Sequence, residues 1–226
     1  MITHNVAQGS VDWAILRSGI PTASEMGNLV TDGLEVRKGE MPRTYVAKKL
    51  AEWWTGGPLA EFNSFDMEQG SILENEALPW LELDTGIKVH RVGFITTDDS
   101  KAGCSPDGLV AESGLECKCP RIETHIRYLL NGTVPKEYLP QIHASLFVTC
   151  FQSWTFMSYR RRLPALVINI ERDDEAQANI EEALESFWHQ FEEGKKRLCE
   201  LNGGPPKRFS AAPVVQAEPE YVDVIP

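Results

Sequence analysis

The sequence predicts an α/β fold in which helices cover both faces of a central mixed β-sheet. Apolar residues recur with helical spacing through the first third of the chain and alternate with a period of two from residue 87 onward. A long acidic segment with helical spacing, residues 173–201, follows the last predicted strand. This order of helices, three strands, helices, two strands and a helix is typical of a mixed sheet between helical layers.

The first elements are predicted to be helices. A short helix ends at Arg17, and the turn at residues 19–21 separates it from a second helix that starts after Thr22, with Glu25 in the position of a capping-box partner. A proline at the start and two glycines after the end predict a further helix at residues 42–55.

The remaining elements follow from changes in period and from turn residues. A helix is expected at residues 65–86, bent near Pro79. Five strands and two further helices complete the core: strands at 87–96, 102–110, 114–119, 154–160 and 165–171, and helices at 121–130 and 137–150.

Length and composition favour a single globular domain. The chain has 226 residues, 42% of them hydrophobic, so we expect one domain at 1–202 and a tail rich in Gly, Pro and Ala at 203–226. Without a signal-like N-terminus or an apolar run of about 18 residues, the chain is expected to be soluble and cytoplasmic, with no membrane contact. Its five cysteines are an odd number, which indicates reduced thiols.

Charge is distributed unevenly along the chain. The net charge of −11 argues against nonspecific coating of nucleic acid, which depends on cationic contacts to phosphate. Residues 171–200 carry a net charge of −6, whereas residues 118–162 carry a net charge of +5. A polyanion would therefore bind the second segment.

Residues 103–120, GCSPDGLVAESGLECKCP, concentrate charged residues and cysteines. If this hairpin turns at residues 112–113, Leu109 faces Glu116 and Asp107 faces Lys118. Because side chains alternate along a strand, the charged residues share one face, and the cysteines at 117 and 119 share the other.

Two close carboxylates need a proton or a cation between them, and Mg²⁺ prefers oxygen ligands. An adjacent lysine can orient a metal-bound water or balance the charge of a phosphoryl oxygen, which indicates metal-assisted hydrolysis of a phosphodiester. On composition alone, Asp107 in Pro-Asp-Gly is equally a turn residue, with Glu116 and Lys118 on a solvated strand face. Packing is the favoured role of the cysteines, since Cys-Lys-Cys has too short a spacing for a usual zinc pair.

Five motifs then occur in order: WAILRSGIPTASE, GSILENEA, CSPDGL, LECKCP and YLPQIHA. In order and spacing they resemble the phage lambda type of alkaline exonuclease, a member of the PD-(D/E)XK nuclease superfamily. The resemblance extends in patches from about Trp13 to the strand at Trp154, and the tail after Asn202 has no clear counterpart.

This resemblance implies a restriction-endonuclease-like core and a processive nuclease that degrades one strand of duplex DNA from a 5′-phosphate end to mononucleotides. It further implies two Mg²⁺ ions, replaceable by Mn²⁺, and a ring-shaped homotrimer. The 3′-ended strand would pass to a single-strand annealing protein for phage-type recombination in the bacterial host. A closed ring stays on DNA by topology, which would reconcile the acidic chain with a DNA substrate.

The resemblance also implies roles for individual residues. Asp107 and Glu116 would bind metal, with the backbone carbonyl of Cys117 as a further ligand. Lys118 would act on the nucleophilic water, and Glu74 would bind or position a metal directly or through water.

Substrate contacts are implied in the same way. Arg17 and Ser24 would hold the terminal 5′-phosphate, which suits a guanidinium and a helix N-terminus. Ser105 and Gln141 would contact the DNA backbone near the scissile bond. Without the resemblance, a surface ion pair for Arg17, an ordinary helix position for Ser24 and an exposed polar position for Gln141 would be favoured.

Other features match the family less closely. Met67 is the expected wedge that separates the duplex end, with Phe65 as second choice. Arg37 and Lys38 stand where the family has a basic loop. Ser145 occupies the position of the tyrosine in the wider superfamily's Gln-x-x-x-Tyr motif, so no stacking role is expected there.

Two other functions remain open. A RecB-like or Cas4-like nuclease would use cysteines to hold an iron–sulfur cluster, which needs four grouped thiolates, whereas Cys150 and Cys199 are distant in sequence from the other three. A non-catalytic scaffold that binds DNA ends for recombination would not need Asp107, Glu116 and Lys118 together.

Overall fold

The structure is a computed structural model that describes residues 1–59, 65–110 and 112–206, leaving aside the side chains of residues 65–72 and 74. These residues form six α-helices, seven β-strands and two 3-10 turns. In chain order the elements are β1 (Ile2–His4), α1 (Val11–Arg17), a 3-10 turn (Ala23–Asn28), α2 (Glu40–Thr55), α3 (Phe65–Thr85), β2 (Phe94–Thr96), β3 (Gly103–Cys104), β4 (Gly108–Val110), β5 (Ser113–Lys118), α4 (Ile122–Asn131), a 3-10 turn (Lys136–Tyr138), α5 (Leu139–Thr149), β6 (Ser153–Ser158), β7 (Leu166–Glu171) and α6 (Asp174–Asn202).

The central sheet is mixed, as predicted. Its strand order is β4-β5-β6-β7, with β5 parallel to β6 and both outer pairs antiparallel. A smaller antiparallel sheet, β1-β2-β3, lies beside it. The parallel pair requires a crossover, which the segment containing α4 and α5 supplies.

Helices cover both faces of the central sheet and bury its alternating side chains. On one face, α3 packs through Ala77 and Leu81 against Leu115, Cys117 and Met157. On the other face, α5 packs through Ile142 and Leu146 against Trp154 and Phe156. An outer layer of α2 and α6 joins a third apolar cluster with α5. The predicted α/β sandwich is confirmed.

The segment predicted as one strand at residues 102–110 is broken at Ser105-Pro106-Asp107, which separates β3 from β4. Proline lacks the N–H that a strand ladder requires, so the break falls on Pro106. Gln8 fixes it by donating a hydrogen bond from Nε2 to the Pro106 carbonyl at 2.8 Å. Ser105 and Asp107 therefore flank a fixed break between two sheets.

The predicted hairpin register was wrong by two residues. Val110 pairs with Ser113 and Leu109 pairs with Gly114, not with Glu116. Residues 111 and 112 lie between the paired ends, so the two-residue turn falls one position earlier than the predicted turn at 112–113. Because the shift is an even number, no residue changes faces, and Asp107 lies near Glu116 rather than opposite Lys118.

Two other local predictions differ from the structure. The strand predicted at 87–96 is limited to β2, because the chain first bridges to β4 at His90 and then passes the Val6 carbonyl closely at Gly93. The helix predicted after Thr22 is a 3-10 turn, and the Thr22 hydroxyl donates to the Glu25 carboxylate at 3.1 Å instead of forming a capping box.

The long helices agree with the sequence. The helix α3 continues through Pro79, and α6 starts one residue after the predicted boundary at residue 173. Asp173 caps it, and the Asp173 side chain accepts from the Ala176 N–H at 2.8 Å. Across residues 1–59, 65–110 and 112–206, none of the helices has the length and apolar content needed to cross a membrane. Most of the predicted tail, residues 207–226, lies outside the described residues.

Candidate active site

A buried carboxylate and an ammonium lie together on β5. Glu116 is only 3% exposed, and its Oε1 lies 2.5 Å from Lys118 Nζ. A buried carboxylate is costly unless a cation compensates it, and in this structure Lys118 supplies that cation. The two residues share the sheet face that α5 covers, whereas Cys117 packs on the α3 side.

Asp107 brackets Glu116 from the neighbouring strand end. Its backbone N–H donates to the Leu115 carbonyl at 3.0 Å, and its Oδ2 accepts from the Cys117 N–H at 2.6 Å. The two bonds reach the residues before and after Glu116, and they fix Asp107 beside it at the break created by Pro106. Asp107 and Glu116 therefore lie on neighbouring strand ends, in a register two residues away from the predicted one.

Lys118 is held by groups from three directions. Besides Glu116, its Nζ donates to Gln141 Oε1 at 3.4 Å and lies 5.2 Å from the centroid of the Tyr138 ring. Burial disfavours the charged ammonium, but the adjacent Glu116 and the charge of Asp107 outweigh this effect and raise the pKa of Lys118 above its usual range. Lys118 is therefore cationic while Glu116 is its partner.

The residues expected to bind a phosphate also meet. Arg17 donates from one terminal nitrogen to Ser105 Oγ at 3.1 Å and from the other to Ser24 Oγ at 3.0 Å. They come together because the chain after α1 pairs with β3, through a Thr22–Gly103 bridge and a hydrogen bond from the Gly103 N–H to the Pro21 carbonyl. We call Arg17, Ser24 and Ser105 the hydroxyl–guanidinium cluster.

Trp13 orients this cluster. Its indole N–H donates to Ser105 Oγ at 2.9 Å, and the guanidinium carbon of Arg17 lies 4.2 Å from the centroid of its ring. Trp13 and Arg17 are four residues apart on α1, so they project from the same side of the helix. The stacked ring restricts the guanidinium without neutralising its charge.

A partly buried ion network supports the hydroxyl–guanidinium cluster from α2. Glu25 accepts from Lys48 and from Lys49, each at 2.8 Å, and Lys49 also contacts Glu52 at 3.1 Å. Glu52 in turn accepts from the Gly19 N–H at 2.8 Å, just after α1. The network thus fixes both chain segments that carry Arg17 and Ser24.

Because of this network, the free energy of unfolding depends on pH in the acid range. Burial of Glu25 favours its neutral form, but Lys49 and Lys48 outweigh burial and lower its pKa from 4.5 to about 2. A lowered folded-state pKa gives stability that is complete above pH 4.5 and is lost as the pH falls towards 2, corresponding to about 3 kcal/mol.

Glu25→Gln is accordingly expected to lower the free energy of unfolding at neutral pH, with a difference from the unsubstituted protein that shrinks as the pH falls through this window. Urea unfolding at several pH values measures it. Glu40→Gln is the control, because its pair with Arg43 is exposed and contributes little. A difference that stays constant from pH 7 to about pH 2 would contradict the assigned ion network.

Several predicted residues are not tested by these contacts. The side chains of Glu74, Met67 and Phe65 lie outside the described residues. Arg37 donates from Nε to the carbonyls of Gly27 and Val30, so its guanidinium closes the 3-10 turn after Thr22. Lys38 is exposed. The structure does not bring these last two to the carboxylates.

Two cavities meet at Trp13. One, of about 540 Å³, is lined by Asp107, Asn75 and Arg91, and the other, of about 530 Å³, is lined by Arg17, Ser24 and Glu25. Trp13 lines both of them. Asp107 therefore lines one cavity, and Arg17 and Ser24 line the other, with Trp13 shared between the two.

Sequence reasoning missed Trp13, Tyr138 and the paired lysines of α2. The helical spacing of Trp13 and Arg17 was a usable signal, as was Tyr138 three residues before Gln141. No local pattern marked Lys49, which is 3% exposed, because its partner Glu25 lies in a different element.

A family comparison covers this whole region. The family of the YqaJ-like viral recombinase domain matches residues 12–152, more than half of the chain. This span includes the site residues from Arg17 to Gln141. None of the curated proteins matches the chain.

Solved structures agree with the family match. An alkaline exonuclease (LHK-Exo) from Laribacter hongkongensis is 31% identical, with a TM-score of 0.77 over 86% of this chain and 98% of that chain. LHK-Exo in complex with dAMP is similar at 30% identity, with the same TM-score and coverage. A phage related exonuclease from Haemophilus somnus 129PT shares the fold at 13% identity, with a TM-score of 0.63 over 79% of this chain and 96% of that chain. The chain therefore belongs to the YqaJ-like viral recombinase family.

Proposed function

We propose that this protein, an exodeoxyribonuclease of phage-type recombination by its family, digests one strand of duplex DNA from a 5′-phosphate end. The single observation that carries this proposal is the position of the hydroxyl–guanidinium cluster. Ser105 belongs to the cluster and Asp107 to the carboxylate site, and only Pro106 separates them. A terminal phosphate and the nearest phosphodiester would thus be bound side by side.

The donor set fits a hard divalent cation. Asp107 and Glu116 supply two carboxylates from neighbouring strand ends, and Lys118 pairs with the buried Glu116. With the Cys117 carbonyl, and with Glu74 as a further carboxylate, these residues would hold Mg²⁺ ions, or Mn²⁺ in their place. Bound there, the ions would lower the pKa of a water and neutralise charge on the scissile phosphate.

The protein's own residues have separate tasks in the reaction. Arg17, Ser24 and Ser105 bind the terminal phosphate, since a guanidinium fork and two hydroxyls can all donate to it. Gln141 and Lys118 contact the scissile phosphate, and Lys118 orients the attacking water. Tyr138 and Glu116 limit the positions open to the ammonium.

The chemistry accounts for repeated cleavage. Water attacks phosphorus, the bond to the 3′ oxygen breaks, and that oxygen takes up a proton. The released 5′-mononucleotide leaves with a 3′-hydroxyl, and the remaining strand keeps a 5′-phosphate. Each cut therefore regenerates the group that Arg17 binds, which favours processive digestion. The complex of LHK-Exo with dAMP, a mononucleotide, supports this class of product.

We further propose that three copies form a ring around the DNA and pass the 3′-ended strand to a single-strand annealing protein. The motif resemblance to the lambda-type exonucleases supports both statements. A ring also suits a chain whose net charge is −11, because enclosure retains DNA with fewer cationic contacts.

The cysteines do not favour the iron–sulfur alternative. Cys104 and Cys117 pack into different apolar clusters, and Cys150 is exposed beyond α5. A cluster would need four thiolates around one centre. Their positions fit packing roles instead.

The deciding experiment compares duplexes with 5′-phosphate and 5′-hydroxyl ends, labelled at either end of one strand, with and without Mg²⁺. We expect mononucleotides released from the 5′ end, faster from the phosphorylated duplex, and only with the metal. Release from the 3′ end, oligonucleotide products or undiminished digestion in a chelator would refute the proposal.

A further inference from the structure

We propose that the loop formed by Arg160, Arg161 and Arg162 binds the phosphate backbone of the substrate strand beyond the scissile phosphate. We call these three residues the arginine loop. The inference rests on the proposed function, and it adds a DNA contact at the edge of the sheet where Lys118 lies.

The arginine loop lies at the end of the sheet where Lys118 lies. It follows β6, which runs parallel to β5, so both strands end at the same edge. The Tyr159 N–H donates to the Lys118 carbonyl at 2.9 Å, and Arg160 donates to the Pro120 carbonyl at 3.3 Å. The loop is thus attached directly to the segment that carries the proposed catalytic lysine.

A single buried imidazole fixes both ends of the loop. His125, on α4, is fully buried, with Nδ1 2.8 Å from Ser158 Oγ and Nε2 3.0 Å from the Pro164 carbonyl. Within the loop, the Leu163 N–H donates to the Arg160 carbonyl at 3.2 Å. The backbone is therefore held in one shape, which reduces the entropy lost on binding a ligand.

The three guanidinium groups differ in what they contact. Arg160 is anchored to the backbone of Pro120, and Arg161 pairs with Glu76 on α3. Both members of the Arg161–Glu76 pair are exposed, at 59% and 37%, so exchanging the carboxylate for a phosphate would cost little. Arg162 is exposed, and it has no hydrogen-bond or ion-pair partner within the described part of the chain.

The arginine loop also lies beyond the carboxylate site along β5. Lys118 follows Glu116 on this strand, and the loop anchor at Pro120 lies past the end of the strand. A strand advances by about 3.3 Å per residue, so Lys118 lies roughly 7 Å past Glu116, with the anchor farther along the chain. A DNA strand whose scissile phosphate is bound at Glu116 and Lys118 could therefore continue onto the loop.

The test measures binding of 5′-phosphate and 5′-hydroxyl duplexes by fluorescence anisotropy in a chelator, between about 50 and 200 mM salt. Arg162→Ala is expected to weaken binding about threefold and Arg162→Glu about tenfold, equally for both ends, because among the described residues Arg162 makes no hydrogen bond or ion pair with the hydroxyl–guanidinium cluster that is proposed to bind the terminal phosphate. The slope of log affinity against log salt should become shallower by about 0.9 in Arg162→Ala.

Arg197→Glu is the matched control, because it reverses an exposed arginine on α6 whose partner is Glu200, and its binding should equal that of the unsubstituted protein. Unchanged affinity and slope in Arg162→Glu would overturn the proposal. So would weaker binding that comes with a changed molecular mass in solution, since the loop would then contact another subunit. The two proposals can fail separately. If the unsubstituted protein released no 5′ mononucleotides, the proposed function would be refuted. If Arg162→Glu still weakened DNA binding in that case, the loop assignment would stand.

Discussion

Lys118→Met is expected to reduce mononucleotide release by about a thousandfold, because positioned proton-transfer groups commonly contribute this much to a rate. Methionine keeps the length and the apolar stem of the side chain but removes the contacts of Nζ with Glu116 and Gln141. Single-turnover digestion of a 5′-phosphate duplex measures the effect. DNA binding should be largely retained, because Arg17 and both serines are untouched.

Two companion variants separate chemistry from charge. Lys136→Met removes an exposed lysine from the same basic segment and should keep the normal rate. Lys118→Arg preserves the ion pair but not the compact ammonium, so its rate should stay close to that of Lys118→Met. Normal hydrolysis in Lys118→Met, with a circular dichroism spectrum like that of the unsubstituted protein, would remove Lys118 from the mechanism.

Arg17→Ala is expected to lower kcat/KM for duplexes with 5′-phosphate ends by about a hundredfold, because truncating one partner of a hydrogen-bonded charge pair commonly costs this much. The value of kcat/KM for duplexes with 5′-hydroxyl ends should change by much less, because no terminal phosphate is then bound. The ratio of kcat/KM for the two ends is the measurement. It should fall towards one in the variant.

The control for Arg17 is Arg43→Ala, which removes an exposed arginine of α2 that pairs with Glu40. It should leave the ratio unchanged. If Arg17→Ala lost activity equally on both ends, Arg17 would be supporting the fold through Trp13 and Ser105 rather than recognising the terminal phosphate.

Strand parity predicted the faces of β5 correctly, whereas the register was wrong. Alternation is a local property, so Glu116 and Lys118 share a face whatever their partners are. The register depends on the position of the turn and on the break at Pro106, whose carbonyl is held by Gln8 from a distant part of the chain. Nothing in residues 103–120 alone specifies that contact.

The hydroxyl–guanidinium cluster illustrates the same division. Sequence motifs selected Arg17, Ser24 and Ser105, but their assembly depends on pairing between residue 22 and residue 103. The ion network beneath them was not predicted. In the sequence Lys49 is an ordinary lysine of a predicted helix, and its partner Glu25 lies in a separate turn against which α2 packs.

By itself, the sequence determined the α/β class, the helices and strands with strong periodicity, and the chemistry-bearing residue types, because these depend on neighbours within a few positions. Only the tertiary structure decided how Asp107 brackets Glu116, why Arg17 meets both serines and where the arginine loop lies. Those arrangements depend on contacts between distant segments, whose hydrogen bonds and ion pairs form only after the sheet and its helices have packed.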